Sequence, residues 1–197
     1  MNPASNNPAD AFARVLEVLD QMEVAYLVGG SVASSIHGTS RPTMNLDLVV
    51  DLRLDQVTEL ARLLQPDFYA HAEMMREAIT RGRSFNWIHY GSSFKIDLFP
   101  LRQDAYSRTA FARRRFEHSR TFGPKSIECS VASPEDMVLR KLEWYRTGGE
   151  TSERQWNDLR GIVTVNGAIL DVAYLKKWAV ELKVGDLLER LLAHEGQ

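Results

Sequence analysis

Tyr26-Leu27-Val28-Gly29-Gly30-Ser31, followed by Arg41-Pro42-Thr43-Met44-Asn45-Leu46-Asp47-Leu48-Val49-Val50, is the stretch that decides the fold. A short apolar strand runs into two glycines and a serine. A small-residue helix over 31–37 is then closed by Gly38, since glycine stops helices readily. A second strand over 46–52 follows, and its entry carries polar groups at alternate positions. Such residues point to one face, roughly 6.6 Å apart along the strand, so Asn45 and Asp47 face together. Further on, Phe94-Lys95-Ile96-Asp97-Leu98-Phe99 repeats the pattern, with Lys95, Asp97 and Phe99 sharing a face. If the two strands are neighbours, Asp47 and Asp97 converge.

Working outward, 11–22 reads as an amphipathic helix with Phe12, Val15, Leu16 and Leu19 on one side. A helix over 55–64 is expected to start at an Asp55 N-cap and to end at Pro66. A short strand at 68–70 and a helix over 73–80 come next. A hairpin of 84–90 and 93–99 should turn at Gly91-Ser92. Two further strands are expected at 115–122 and 125–131. Ser133-Pro134-Glu135-Asp136 is a strong helix start, with serine at the cap, proline in the first turn and acids beside it. Two or three more helices are read, roughly at 152–163, 171–182 and 186–193. The chain therefore divides into an α/β core, 1–131, and a helical subdomain, 132–197.

Bulk properties narrow the classes. The 197 residues carry 24 basic and 26 acidic side chains, a net charge of −2 that argues against wholesale binding of a nucleic-acid backbone. A single cysteine, Cys129, excludes an intramolecular disulfide and a cysteine zinc cluster. No apolar run reaches membrane-spanning length and the first ten residues are small and polar, so a cytoplasmic protein is expected.

The Gly-Gly-Ser turn, the alternating polar strand and the distant Asp97 together resemble the DNA polymerase β-type nucleotidyltransferase superfamily. The match to its Arg-x-Thr-x-Asp-x-Asp pattern begins at Arg41 and Thr43. The 132–141 helix with Lys141, then 154–158 with Asp158, is similar to bacterial nucleotidyltransferases related to abortive-infection toxins. The resemblance implies a mixed β-sheet flanked by helices, with a helical subdomain closing the cleft. It implies transfer of a nucleoside monophosphate from an NTP to a hydroxyl of a tRNA, a protein or a small molecule. It implies Mg²⁺ (or Mn²⁺) as cofactor and an antitoxin as partner. Gly29, Gly30 and Ser31 would cradle phosphate, with Arg41 and Lys141 as further nucleotide contacts. Asp47 and Asp97 would be catalytic and would hold metal with the residue at position 45. For Lys141 the alternative is an ordinary exposed helix lysine. Arg113-Arg114-Arg115 is read either as an acceptor contact or as a solvated run, and Trp144 and Trp156 as packing aromatics.

One letter departs from the pattern. Asn45 stands where the superfamily places its first carboxylate, and Asp51, about 13 Å along the strand from Asp47, is too far to replace it. Losing a unit charge about 4 Å from a divalent ion, at an effective dielectric near 20, removes up to roughly 8 kcal/mol of attraction before desolvation offsets it. A quarter of that still weakens binding about 30-fold. The alternative function is therefore an inactive nucleotide- or partner-binding protein on the same fold.

Overall fold

The computed structural model describes residues 6–38 and 43–193. Its elements run α1 (Pro8–Gln21), β1 (Tyr26–Val28), α2 (Gly30–His37), β2 (Asn45–Val50), a 3₁₀ turn (Leu54–Gln56), α3 (Val57–Leu64), β3 (Phe68–Tyr69), α4 (Ala72–Thr80), β4 (Phe85–His89) and β5 (Lys95–Pro100). They continue with α5 (Ala105–Ala112), β6 (Arg115–Ser119), β7 (Ile127–Val131), α6 (Pro134–Thr147), α7 (Glu153–Asn166), α8 (Val172–Glu181) and α9 (Gly185–Ala193). No helix among the described residues is long and apolar enough to cross a membrane.

The strands described form one mixed sheet in the order β3-β4-β5-β2-β1-β7-β6. Its centre is the pairing of β2 with β5, parallel and in register over six residues from Asn45 opposite Lys95 to Val50 opposite Pro100. Leu46, Leu48, Val50, Ile96 and Leu98 point to one side and are fully buried, in one apolar cluster with Phe12 and Val15 of α1 and Leu60 and Leu64 of α3. The alternate residues Asp47, Val49, Lys95, Asp97 and Phe99 are only half-buried. That contrast makes one sheet face core and leaves the other free for polar chemistry. On the polar side α2 packs against β2, and α6 and α7 pack against α2.

Local chemistry explains the helix ends. Ser133 accepts from the Asp136 N–H at 3.1 Å, Ser152 from the Gln155 N–H at 3.3 Å and Asp171 from the Tyr174 N–H at 2.9 Å. Asp55 does not cap a helix: it pairs with Arg53 at 3.2 Å, and the chain passes through the 3₁₀ turn before α3 starts. The β4–β5 turn follows Gly91-Ser92, but the left-handed residue is Ser93 at φ 55°, with Ser92 tied to His89 Nδ1 at 2.9 Å. Helix α5, absent from the expectations, is capped by Asp104, which accepts from the Ser107 N–H at 2.7 Å.

At its far end α2 is fixed to the helical half of the chain. His37 Nε2 lies 2.6 Å from the Ala132 carbonyl, just before α6, and the Asn166 amide of α7 donates to the His37 carbonyl. Burial holds the His37 imidazole below its ordinary pKa, so it is neutral and donates Nε2–H there.

Candidate functional site

Parallel register brings Asp47 and Asp97 directly opposite one another on β2 and β5. Neighbouring strands lie about 4.8 Å apart, so two carboxylates share one small volume on the half-buried sheet face. Asn86 of β4 is the register partner of Asp97 on its other side, extending a polar row across three strands. Asn45 pairs with Lys95 one step along the same face.

The Gly-Gly-Ser turn is built around Asp47. The Gly29 N–H donates to the Asp47 carbonyl at 2.9 Å, and the Ser31 N–H donates to its carboxylate. Gly30 sits at φ +55°, and a Cβ there would lie 1.8 Å from Asp47 Oδ2 and 2.5 Å from its Cγ. Only glycine fits on both counts. Gly29 differs: its backbone is extended and a Cβ would come no nearer than 4.0 Å to any atom. The free space at Gly29 and the N-terminus of α2, eight residues long, together suit an anionic group.

Electrostatics tie these groups together. Burial, and then the Asp97 charge, push the Asp47 carboxyl above the ordinary aspartate value; the Ser31 N–H and the cations Lys141 and Lys95 oppose that shift. Lys95 Nζ lies 2.6 Å from Asp97 Oδ1. Lys141, on α6, is paired with Asp158 of α7 at 2.8 Å and is only 13% exposed. It is therefore no ordinary surface lysine: Asp158 holds its ammonium where its charge reaches Asp47.

Other sequence expectations fare differently. Arg41 falls outside the described residues. Arg113 is no acceptor contact, because its guanidinium lies 3.1 Å from Glu135 Oε2 and stacks 3.9 Å from the Tyr174 ring centre. Arg114 stacks on Phe111 at 4.5 Å, which leaves Arg115 alone of the three exposed. Trp156 packs against Tyr145 as expected, with ring centres 5.2 Å apart. Trp144 does not: it is 57% exposed and meets Phe99 edge-on at 6.1 Å, beside the carboxylate row. The sequence motifs assign no role to Lys95 or Asn86, although Lys95 stands two residues before Asp97 and shares its face. A shallow groove lined by Glu73, Arg76, Glu77 and Arg81 along α4 is separate from this site, and its charges pair with one another.

Among the described residues no group of three or more His, Cys, Asp or Glu side chains could hold a metal ion by itself. Two facing carboxylates suffice for one Mg²⁺ when substrate phosphates complete its shell, because Mg²⁺ commonly binds through one or two carboxylates plus phosphate. Asp47 and Asp97 fit one such ion.

No family model matches the chain, and neither does any curated protein sequence. Solved structures do. The solution structure of the antibiotic-resistance factor ANT(2'')-Ia is 15% identical with a TM-score of 0.51, over 94% of this chain and 96% of that one. The same factor in complex with adenylyl-2''-tobramycin gives 12% identity and a TM-score of 0.52, over 88% and 95%. An antigenic nucleotidyltransferase-like protein from Paracoccidioides brasiliensis gives 17% identity and a TM-score of 0.52, over 96% and 94%. The chain thus carries an α/β fold, a mixed sheet with flanking helices, that it shares along nearly its whole length with that resistance factor and with that nucleotidyltransferase-like protein.

Proposed function

We propose that this protein is a nucleotidyltransferase that moves a nucleoside monophosphate from an NTP to a hydroxyl acceptor. One observation carries the reading: Asp47 and Asp97 face each other in register beside a glycine turn whose Gly30 only fits against Asp47 because it lacks a side chain.

In this reading the open space at Gly29, the Ser31 hydroxyl, the start of α2 and the ammonium of Lys141 hold the triphosphate. Asp47 and Asp97 would hold one Mg²⁺ (or Mn²⁺), which when bound neutralises phosphate charge and polarises the α-phosphorus. Asp97 accepts the proton of the acceptor hydroxyl. The acceptor oxygen then bonds to the α-phosphorus, and the bond from that phosphorus to the bridging oxygen breaks, releasing pyrophosphate. Holding acceptor and triphosphate in line supplies much of the rate, as in any phosphoryl-type transfer. The division into a catalytic core, 1–131, and a helical subdomain, 132–197, belongs to the same proposal: Lys141 comes from the second part, Asp47 and Asp97 from the first.

The acceptor class follows from no residue described above. The complex of ANT(2'')-Ia with adenylyl-2''-tobramycin makes an aminoglycoside the first to try, with tRNA and protein hydroxyls next. A toxin role with an antitoxin partner rests on the sequence resemblance. It predicts growth arrest on expression that a neighbouring gene product relieves, and expression without arrest would count against it.

Asn45 and the Lys95–Asp97 ion pair favour a second reading, nucleotide binding without turnover. Pyrophosphate release decides between the two. Release that depends on Mg²⁺, on an acceptor and on Asp97 supports transfer. Tight NTP binding with no release above the Asp97→Asn background supports binding alone.

A further inference from the structure

Lys95 and Asn45 are register partners, and this adjacency gives the site a charge balance of its own. The Lys95 ammonium touches the Asp97 carboxylate at 2.6 Å and its charge also acts on Asp47. The site therefore holds two facing carboxylates, one ammonium in contact with Asp97, and the more distant charge of Lys141 acting on Asp47. A second divalent ion would need a third anionic ligand, and the position best placed to supply one is a neutral amide. It would also lie beside a fixed positive charge, which repels a divalent ion about twice as strongly as it repels a monovalent one.

We propose that Lys95 is a resident cation of the site, its ammonium taking the place of a second divalent ion, so that the chain works with one divalent ion per bound nucleotide. This rests on the nucleotidyl-transfer reading above and deepens it. Lys95 acts on charge at the triphosphate and on the position of Asp97. Its side chain is 43% exposed and Asn45 is exposed, so both can be changed without opening the core.

The test is electron paramagnetic resonance of Mn²⁺ added to the full chain with the four α,β-methylene NTP analogues in turn. Two Mn²⁺ ions roughly 3.5–4 Å apart, as in two-metal sites, give an exchange-coupled spectrum, whereas one gives the isolated-ion spectrum. The expected result is an isolated ion in the wild type, bound about tenfold more tightly in Lys95→Met, because a screened like charge beside the ion is removed. The coupled pair should appear only when Asn45→Asp and Lys95→Met are combined. Thermal melts of all three proteins establish that each is folded. A coupled pair in the wild type overturns the role of Lys95 and leaves the nucleotidyl-transfer reading standing. So does an unchanged Mn²⁺ affinity in Lys95→Met together with a single ion in the double variant. Folded proteins that bind neither Mn²⁺ nor any analogue remove both readings.

Discussion

Exchanging Gly30 for alanine is the sharpest structural perturbation available, because its neighbour Gly29 serves as an internal control. At Gly30 two costs add. A side chain at φ +55° costs about 1–2 kcal/mol in the left-handed region. A Cβ 1.8 Å from Asp47 Oδ2 forces the carboxylate aside, with loss of the Ser31 N–H bond to a charged group, worth about 1.5–3 kcal/mol. The sum is roughly 2.5–5 kcal/mol. For a chain of this size about 2–4 °C of melting temperature go with each kcal/mol, so Gly30→Ala should melt about 5–20 °C below the wild type. Gly29→Ala meets open space in an extended backbone and should stay within about 1 kcal/mol, with a slight gain equally consistent because alanine restricts the unfolded chain. Urea and thermal denaturation of both variants measure the contrast. Equal effects at the two glycines, or a Gly30→Ala melt within 2 °C of the wild type by roughly the same scale, would refute the fitted turn.

Three further perturbations test other parts of the account. His37 is held neutral below its ordinary pKa of 6.5, so the unfolded chain binds the extra proton first and stability falls as pH drops below about 6.5. His37→Gln should flatten that loss between pH 7.5 and 5.5, as read by urea midpoints, and an unchanged slope would remove His37 as its source. Arg113→Ala strands Glu135 and Asp136, 3% and 1% exposed, and should cost about 3 kcal/mol, partly recovered in acid as Asp136 protonates. A loss under about 0.5 kcal/mol would show that their other hydrogen bonds suffice. Asn45→Asp should tighten Mn²⁺ binding by about 30-fold in calorimetry, and no change would mean that position 45 lies outside the ion's reach.

How much of this was legible beforehand depends on the range of the interaction. The β1–turn–α2–β2 unit was readable because each step is local: apolar alternation, glycines, then a polar face. The Ser133 start of α6 was readable for the same reason, as cap, proline and acids lie within four residues. The alignment of Asp97 with Asp47 was not, since it depends on β5 pairing with β2 across the intervening α3, β3, α4 and β4. Helix α5 is not legible in the sequence because its buried apolar positions, Tyr106, Ala110 and Phe111, are few and are separated by Ser107, Arg108 and Thr109. Arg113 looked like one of a solvated run, and only the folded chain shows it turned inward onto Glu135 and Tyr174. Asp55 misled for the opposite reason: its helix-cap character is real, but Arg53 two residues away engages it first.

The central claim, that Asp47 and Asp97 hold a metal-bound nucleotide, is tested most directly by calorimetric titration of each of the four NTPs with Mg²⁺ into the wild type, Asp47→Ala and Asp97→Ala. The account predicts that at least one NTP binds the wild type only when Mg²⁺ is present, and that either substitution abolishes the heat. It is contradicted if no NTP binds, or if binding persists without Mg²⁺ and without these carboxylates.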